Sequence, residues 1–327
     1  MPVSIRDLAR AAGVSVGTVS RALKHQQGLS NATRERILQL AQELGYDKTR
    51  LRPDPIRRVL CILHSQHEVP QENPFYSEVL KGAAAACQER GISCDVLSLS
   101  PAKPARRQIL RQEPDALLCI GFFEPETLEI IRSLGKPVVL SDMNSPGWPA
   151  VNTDNQQGAW LATQHLIAGG RQRIAFLSGS LAHYSIRLRE RGYRQALFDA
   201  GRLADPALET LIPPGMDIAT GAPYAMRELL ALPERPDAIF AYNDATALAA
   251  MRVCQEAGLR VPQDIAFVGF DDLGVAATAQ PGLTTLAVDK IALGREGISL
   301  LLSGPNKECN ALQPVQLIVR ESSAAKA

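Results

Sequence analysis

Along the first 46 residues the hydrophobic and polar positions follow a helical period. Ile5, Leu8, Ala9 and Ala12 fall on one face and Arg6, Asp7 and Arg10 on the other, which predicts a short amphipathic helix. Gly13 stands where a helix end favours positive φ, Val14 can enter the core, and Ser15 can cap a second helix. In that second helix Val19 and Ala22 or Leu23 point inward, leaving Val16, Gly17, Ser20 and Arg21 outward. Ser30 reads as the cap of a third helix from Asn31 to Leu44, with Ile37, Leu38, Ala41 and Leu44 closing a three-helix core and Gly45 ending it. Two helices joined by a short Gly-containing turn fit a helix-turn-helix, although the spacing alone fits an ordinary helical hairpin equally well.

From Asp47 to Arg58 the chain is polar, basic and interrupted by Pro53 and Pro55, which forbid a continuous helix and mark a linker. Beyond it, short apolar runs alternate with helical stretches. The runs VLCILH, CDVLSL, DALLCIG and PVVLSD predict strands, separated by helices over Pro74–Arg90, Ala105–Gln112 and Pro125–Leu134. After Val151–Asp154 the alternation restarts, with helices over Gln156–Ala168, Ser185–Ala200 and Ala245–Ala257 between the strands RIAFLSG, DAIFAY and DIAFVGFDD. Nearly unbroken apolar strands between helices indicate parallel sheets covered on both faces. Two such doubly wound units in tandem bind ligands in the cleft outside the carboxyl ends of their strands.

Charge sharpens this division. The chain carries +1 overall, but residues 1–58 hold 11 Lys/Arg against 5 Asp/Glu, a basic module on an acidic body that suits contact with phosphates. MPVSIRDLAR has no apolar signal segment and no run is long enough to span a membrane, so a cytoplasmic protein is expected. Cys61, Cys87, Cys94, Cys119, Cys254 and Cys309 form no C-x-x-C pair and read as reduced thiols. There is no G-x-S-x-G, P-loop, G-x-G-x-x-G or H-E-x-x-H, so neither an enzyme nor a cofactor is expected. His64 and His67 form an H-x-x-H without a third ligand, which is weak grounds for a metal site.

The wording of the first helices, D-L-A-x-x-A-G-V-S-x-x-T-V-S-R-A-L followed by S-x-x-T-R-E-R-I and E-L-G-Y, resembles the headpiece of the lactose-repressor (LacI/GalR) family. NTDNQQGA, RERGYRQAL, PDAIFAYND, AFVGFDD and PGLTTL resemble the same family and its fold relatives, the periplasmic sugar-binding proteins, so the resemblance covers almost the whole chain. It implies an all-α helix-turn-helix headpiece (1–46), an atypical hinge linker (47–58) and an α/β core (59–327) of two doubly wound parallel-sheet subdomains. Their expected extents are about 59–155 with 284–314, and 156–283 with 315–323, so that the chain after about Thr284 returns to the first sheet. The implied function is a DNA-binding transcriptional regulator, expected to be a repressor, controlled by a sugar, sugar acid or sugar phosphate. The rivals are a sugar-binding protein serving a transporter, which needs export, and a sugar-metabolising enzyme carrying a DNA-binding domain. The chain stops soon after LIVRESS without a heptad tail, so a homodimer on a two-fold double-stranded operator is expected.

If the second helix lies in the major groove, Arg21 can donate a bidentate pair to guanine, Val16 can touch a thymine methyl, and Gly17 permits close approach. Ser15, Thr18, Ser20 and Thr33 can donate to phosphates, as can Arg34 and Arg36 unless they are simply the exposed face of the third helix. For the effector, the resemblance carries a pocket arginine onto Arg189, within R-E-R-G-Y, and a pocket Asn and Asp onto Asn243 and Asp271. Asp244 and Asp272 read instead as helix caps or supporting groups. Phe75, Phe123 and Trp148 can stack on a sugar or simply pack the cleft wall. Arg187 points to an anionic ligand or to a pair with Glu190 or Glu124. In the linker, relatives carry N-x-x-A-R-x-L, a hinge helix whose leucine wedges into the minor groove. Here Arg52 and Pro53 replace the Ala-Arg pair and Pro55 the leucine, which predicts phosphate contacts from Lys48, Arg50, Arg52, Arg57 and Arg58 rather than a helical wedge.

Overall fold

Ser4 opens the first helix, α1 (Ile5–Ala12), through a reciprocal cap: its hydroxyl accepts from the Asp7 N–H at 3.3 Å while the Asp7 carboxylate accepts from the Ser4 N–H at 3.0 Å. Gly13, at φ +64°, turns the chain, and the Val14 N–H returns to the Ala9 carbonyl at 3.1 Å. Ser15 and Ser30 cap α2 (Val16–Leu23) and α3 (Asn31–Glu43), accepting from the N–H groups of Thr18 and Thr33. Leu8, Ala9, Ala12, Val19, Ala22, Leu23, Ile37 and Ala41 form the core, with Val14, Leu38, Leu40 and Tyr46 packed around it. Leu44 departs from expectation and is 41% exposed. The partner helices have 8 residues each against 13 in α3, so the last turn of α3 overhangs them and Tyr46 closes that end instead.

The computed structural model describes residues 3–24, 28–46, 55–64, 74–304 and 309–324. Contacts divide the chain into two units, Met1–Pro55 and Ile56–Ala327. Arg50, Lys48 and the other hinge positions from 47 to 54, together with His67, lie outside the described residues.

In the second unit, β1 (Arg58–His64), α4 (Pro74–Gln88), β2 (Ser93–Leu99), α5 (Ala105–Leu110), β3 (Ala116–Ile120), α6 (Pro125–Arg132), β4 (Val138–Ser141) and β5 (Ala150–Thr153) build the first sheet and its helices. The chain continues through α7 (Asn155–Ala168), β6 (Ile174–Ser178), α8 (Tyr184–Asp199), β7 (Glu209–Leu211), α9 (Ile218–Leu230), β8 (Ala238–Ala241), α10 (Asp244–Glu256), β9 (Ala266–Val268) and α11 (Gly274–Thr278). It ends with β10 (Thr285–Val288), α12 (Lys290–Leu302), β11 (Asn310–Gln313) and β12 (Val315–Ile318). One sheet has the order β11-β5-β4-β3-β1-β2, the other β7-β6-β8-β9, and every pairing within them is parallel. The central strands β1, β3, β6 and β8 are almost wholly buried, as helices on both faces require.

The return after Thr284 is more divided than expected. Helix α12 packs on α4 and β11 joins the edge of the first sheet, but β10 pairs antiparallel with β12 as a separate two-stranded ribbon. Arg58 opens β1, where its exposed guanidinium donates to the Gln112 carbonyl at 3.0 Å and lies 3.6 Å from Asp95. Helix α9 lay outside the reading of the sequence because Pro223 stands inside it. The six cysteines are free thiols.

Candidate functional site

In the first unit, the N-terminal end of α2 presents the outward residues that the pattern places there. Val16 is 41% exposed, Gly17 and Arg21 are exposed, and Ser20 is half-buried. The Ser15 and Thr18 hydroxyls lie 2.9 Å apart, as do those of Ser30 and Thr33 at 2.8 Å. Arg21 lies along its own helix, its Nε donating to the Gly17 carbonyl at 3.4 Å, a long bond at an exposed site that a stronger acceptor can replace. Arg36 differs from the phosphate reading: its guanidinium donates to the Ala12 carbonyl at 3.1 Å and ties α3 to the end of α1.

In the second unit, α7 and α8 approach closely enough that a Cβ at Gly192 would sit 2.1 Å from the Gln156 carbonyl oxygen. This approach brings Arg189, on α8, beside the start of α7. Arg189 is 5% exposed; its Nε donates to Asn155 Oδ1 at 2.9 Å, Nη1 donates to the Tyr242 carbonyl, and Nη2 lies 3.5 Å from Asp271 Oδ1. The guanidinium carbon sits 3.6 Å from the centre of the Phe270 ring. Asp271 itself is 6% exposed and held at φ +108°, a strained conformation for a residue with a Cβ. Burial pushes its carboxyl up to about 6, against the opposing pull of Arg189 and Lys290. Lys290 donates to the Asp271 and Val288 carbonyls, which fastens the start of α12 to this turn.

Asp142, after β4, is also held at positive φ, +56°, and accepts from the Tyr76 hydroxyl at 2.9 Å. Burial raises its carboxyl while Arg189, Tyr76 and His183 draw it back. Asp142 and Asp271 therefore both interact with Arg189, and the negative charge of Asp142 adds to the rise at Asp271. Such a set can accept from paired hydroxyls while the guanidinium fixes orientation.

Asn243 lines the end of β8, but its Oδ1 accepts from the Thr246 N–H at 2.9 Å and caps α10, leaving its amide for other contacts. Asp244 and Asp272 are not caps. Asp244 is fully buried, accepts from the Leu273 N–H and the Thr285 hydroxyl, and is pushed up to about 8 by burial; Asp272 pairs with Arg320 at 2.8 Å. Both fasten the Asp271 turn to the crossover segments. Phe75 is 8% exposed and edge-on to Tyr76, Phe123 is 1% exposed, and Trp148 lies under Arg132 at 4.7 Å; Phe123 and Trp148 line a cavity beside Asp142. Arg187 pairs with neither expected glutamate: it donates to the Leu181 carbonyl, while Glu190 pairs with Arg194 and Glu124 lies 3.0 Å from His64.

The sequence reading missed Tyr76, Phe122, Asp142, Asn155, His183 and Lys290. Asp142 was within reach, since it ends PVVLSD as Asp271 follows AFVGF.

A basic helix-turn-helix joined to two doubly wound sheets with a polar, strained cleft defines a ligand-responsive regulator of DNA. A family model for bacterial regulatory proteins of the lacI family matches residues 4–48, and a periplasmic binding protein-like domain matches 163–323. The ribose operon repressor of Escherichia coli (strain K12) is 31% identical, covering 98% of this chain and 99% of its own. The repressor PurR of Aliivibrio fischeri is 30% identical, covering 91% and 90%. Among solved structures, the regulator CelR in complex with cellobiose is similar at 30% identity, TM-score 0.75, covering 98% and 99%. The lac repressor dimer bound to operator and the anti-inducer ONPF is similar at 27% identity, TM-score 0.72, covering 99% and 100%. The chain belongs to the lacI family and is a DNA-binding transcriptional regulator. No helix among the described residues is long and apolar enough to cross a membrane.

Proposed function

We propose that the chain is a homodimeric cytoplasmic repressor, without enzymatic activity, whose operator affinity is set by a small carbohydrate-derived effector in the cleft between the two sheets. The functional division is a headpiece over 1–46, a linker over 47–58 and an effector core beyond it. The observation that carries this reading is the buried Arg189–Asp271 pair, held at a strained turn and faced by Asp142 and Tyr76. Such strain persists where the surroundings over-determine it for a task. The cellobiose complex of CelR and the operator-bound dimer of the lac repressor point to the same kind of ligand and assembly. On the DNA, Val16, Gly17 and Arg21 face base edges, while Ser15, Thr18, Ser20, Thr33 and Arg50 meet phosphates.

Two variants test the two halves separately. Arg21→Ala abolishes discrimination between operator and scrambled DNA in fluorescence anisotropy and leaves effector affinity intact. Asp271→Ala removes effector binding in calorimetry and freezes operator affinity at one value. An unchanged affinity ratio in the first, or wild-type effector affinity in the second, contradicts the reading.

A further inference from the structure

Beside the polar pair lies a cavity of about 410 Å³, a volume within the usual range for small-molecule sites. Asp142 lines it, whereas Arg189, Asn243 and Asp271 do not, so the cavity adjoins the polar end of the cleft with Asp142 as the shared wall. Its surface is of a different kind. Phe122, Met143, Trp148 and Tyr184 contribute, and Phe122 is half-buried with its ring 4.9 Å from that of His183. Asp142 thus stands between the polar set of Arg189 and Asp271 and an aromatic-walled chamber.

The charges decide what enters. Glu126, Glu129 and Asp142 line the chamber against one guanidinium, Arg187, which is exposed and already donates to the Leu181 carbonyl. Arg132 lies over Trp148 and 3.6 Å from Glu129. At the polar end all three Arg189 nitrogens have partners, and the Lys290 ammonium is spent on main-chain carbonyls. In the chamber a phosphate or carboxylate would meet three carboxylates with Arg187 alone to offset them, whereas uncharged rings offer hydroxyls to the acids and C–H faces to the aromatics.

We infer that the effector is a neutral disaccharide, with one ring at Arg189, Asp271 and Asp142 and the second in the chamber beside Phe122. The inference rests on the reading of the cleft as the effector site and names its ligand class. The full chain is titrated in thermal-shift and calorimetric experiments with cellobiose, maltose, lactose, sucrose and trehalose, with glucose, galactose and fructose, and with gluconate and glucose 6-phosphate. One disaccharide binds at least about tenfold tighter than its component sugars, and the two anions give no shift. Phe122→Ala weakens that disaccharide about two- to tenfold and leaves the component sugars unchanged. A monosaccharide binding as tightly as every disaccharide, an anion binding tighter than any of them, or equal effects of Phe122→Ala on both sizes overturns it. If a monosaccharide or an anionic sugar binds and alters operator affinity, the disaccharide inference falls and the effector reading stands. If no sugar of any class binds, both fall.

Discussion

Arg189→Ala removes a guanidinium that joins three buried partners, the Asn155 amide oxygen, the Tyr242 carbonyl and the Asp271 carboxylate. Breaking a buried ion pair from one side costs about 3–5 kcal/mol, because the surviving charge and acceptors stay buried. For a unit of this size that lowers the melting temperature by about 6–20 °C. The loss has a pH signature. In the wild type, burial raises Asp271 from 3.8 to about 6, so its contribution to stability is full below about 4 and is lost as pH rises through 6. Without Arg189 the carboxyl rises further, even with Lys290 still beside it and Asp142 adding its negative charge. Ionisation then keeps costing stability above pH 6 in the variant, so the gap between variant and wild type is constant below pH 5 and widens from 6 to 8. Urea unfolding followed by tryptophan fluorescence measures this unit selectively, since both tryptophans, Trp148 and Trp160, belong to it. A loss under about 1 kcal/mol, or a gap unchanged between pH 5 and 8, refutes the reasoning.

Ser15→Ala and Ser30→Ala each destabilise the headpiece by about 1 kcal/mol, read from amide hydrogen exchange of α2 and α3 in the full chain, because each removes a helix cap. Gly192→Ala costs at least about 1–3 kcal/mol in urea unfolding and weakens effector binding, since its Cβ would press on the Gln156 carbonyl and push α8, with Arg189, away from α7. Arg36→Gln lowers headpiece stability but leaves the salt dependence of operator binding unchanged; a phosphate contact at Arg36 would instead reduce the log–log slope by about 0.9.

Much of the fold was legible because helical and strand periods differ and turn residues stand at their proper places, as Gly13, Ser15 and Ser30 do. What escaped the pattern had physical causes. Pro223 hid α9, and the short ribbon formed by Thr285–Val288 and Val315–Ile318 unites segments far apart in the chain, a pairing that no local period encodes. Leu44 matched the core stripe but outran its partner helices. At the cleft, the motif around Gly192 points to Arg189 and the strand-end position to Asp271, and the structure brings these two side chains within 3.5 Å. Choosing among neighbouring aromatics needed the direction in which the chain leaves β3: Phe123 turns into the core and Phe122 faces His183. Asp244, at a strand end, reads as a cap or a supporting group; Asn243 takes the cap, and Asp244 holds Leu273 and Thr285 in support.

The central claim is that the cleft governs the headpiece, and operator affinity measured by fluorescence anisotropy with and without the disaccharide selected by calorimetry tests it most directly. Wild-type protein changes its operator Kd by about five-fold or more on saturation, while Arg189→Ala shows one Kd in both conditions. A wild-type Kd that stays the same while calorimetry shows the cleft filled would contradict the account.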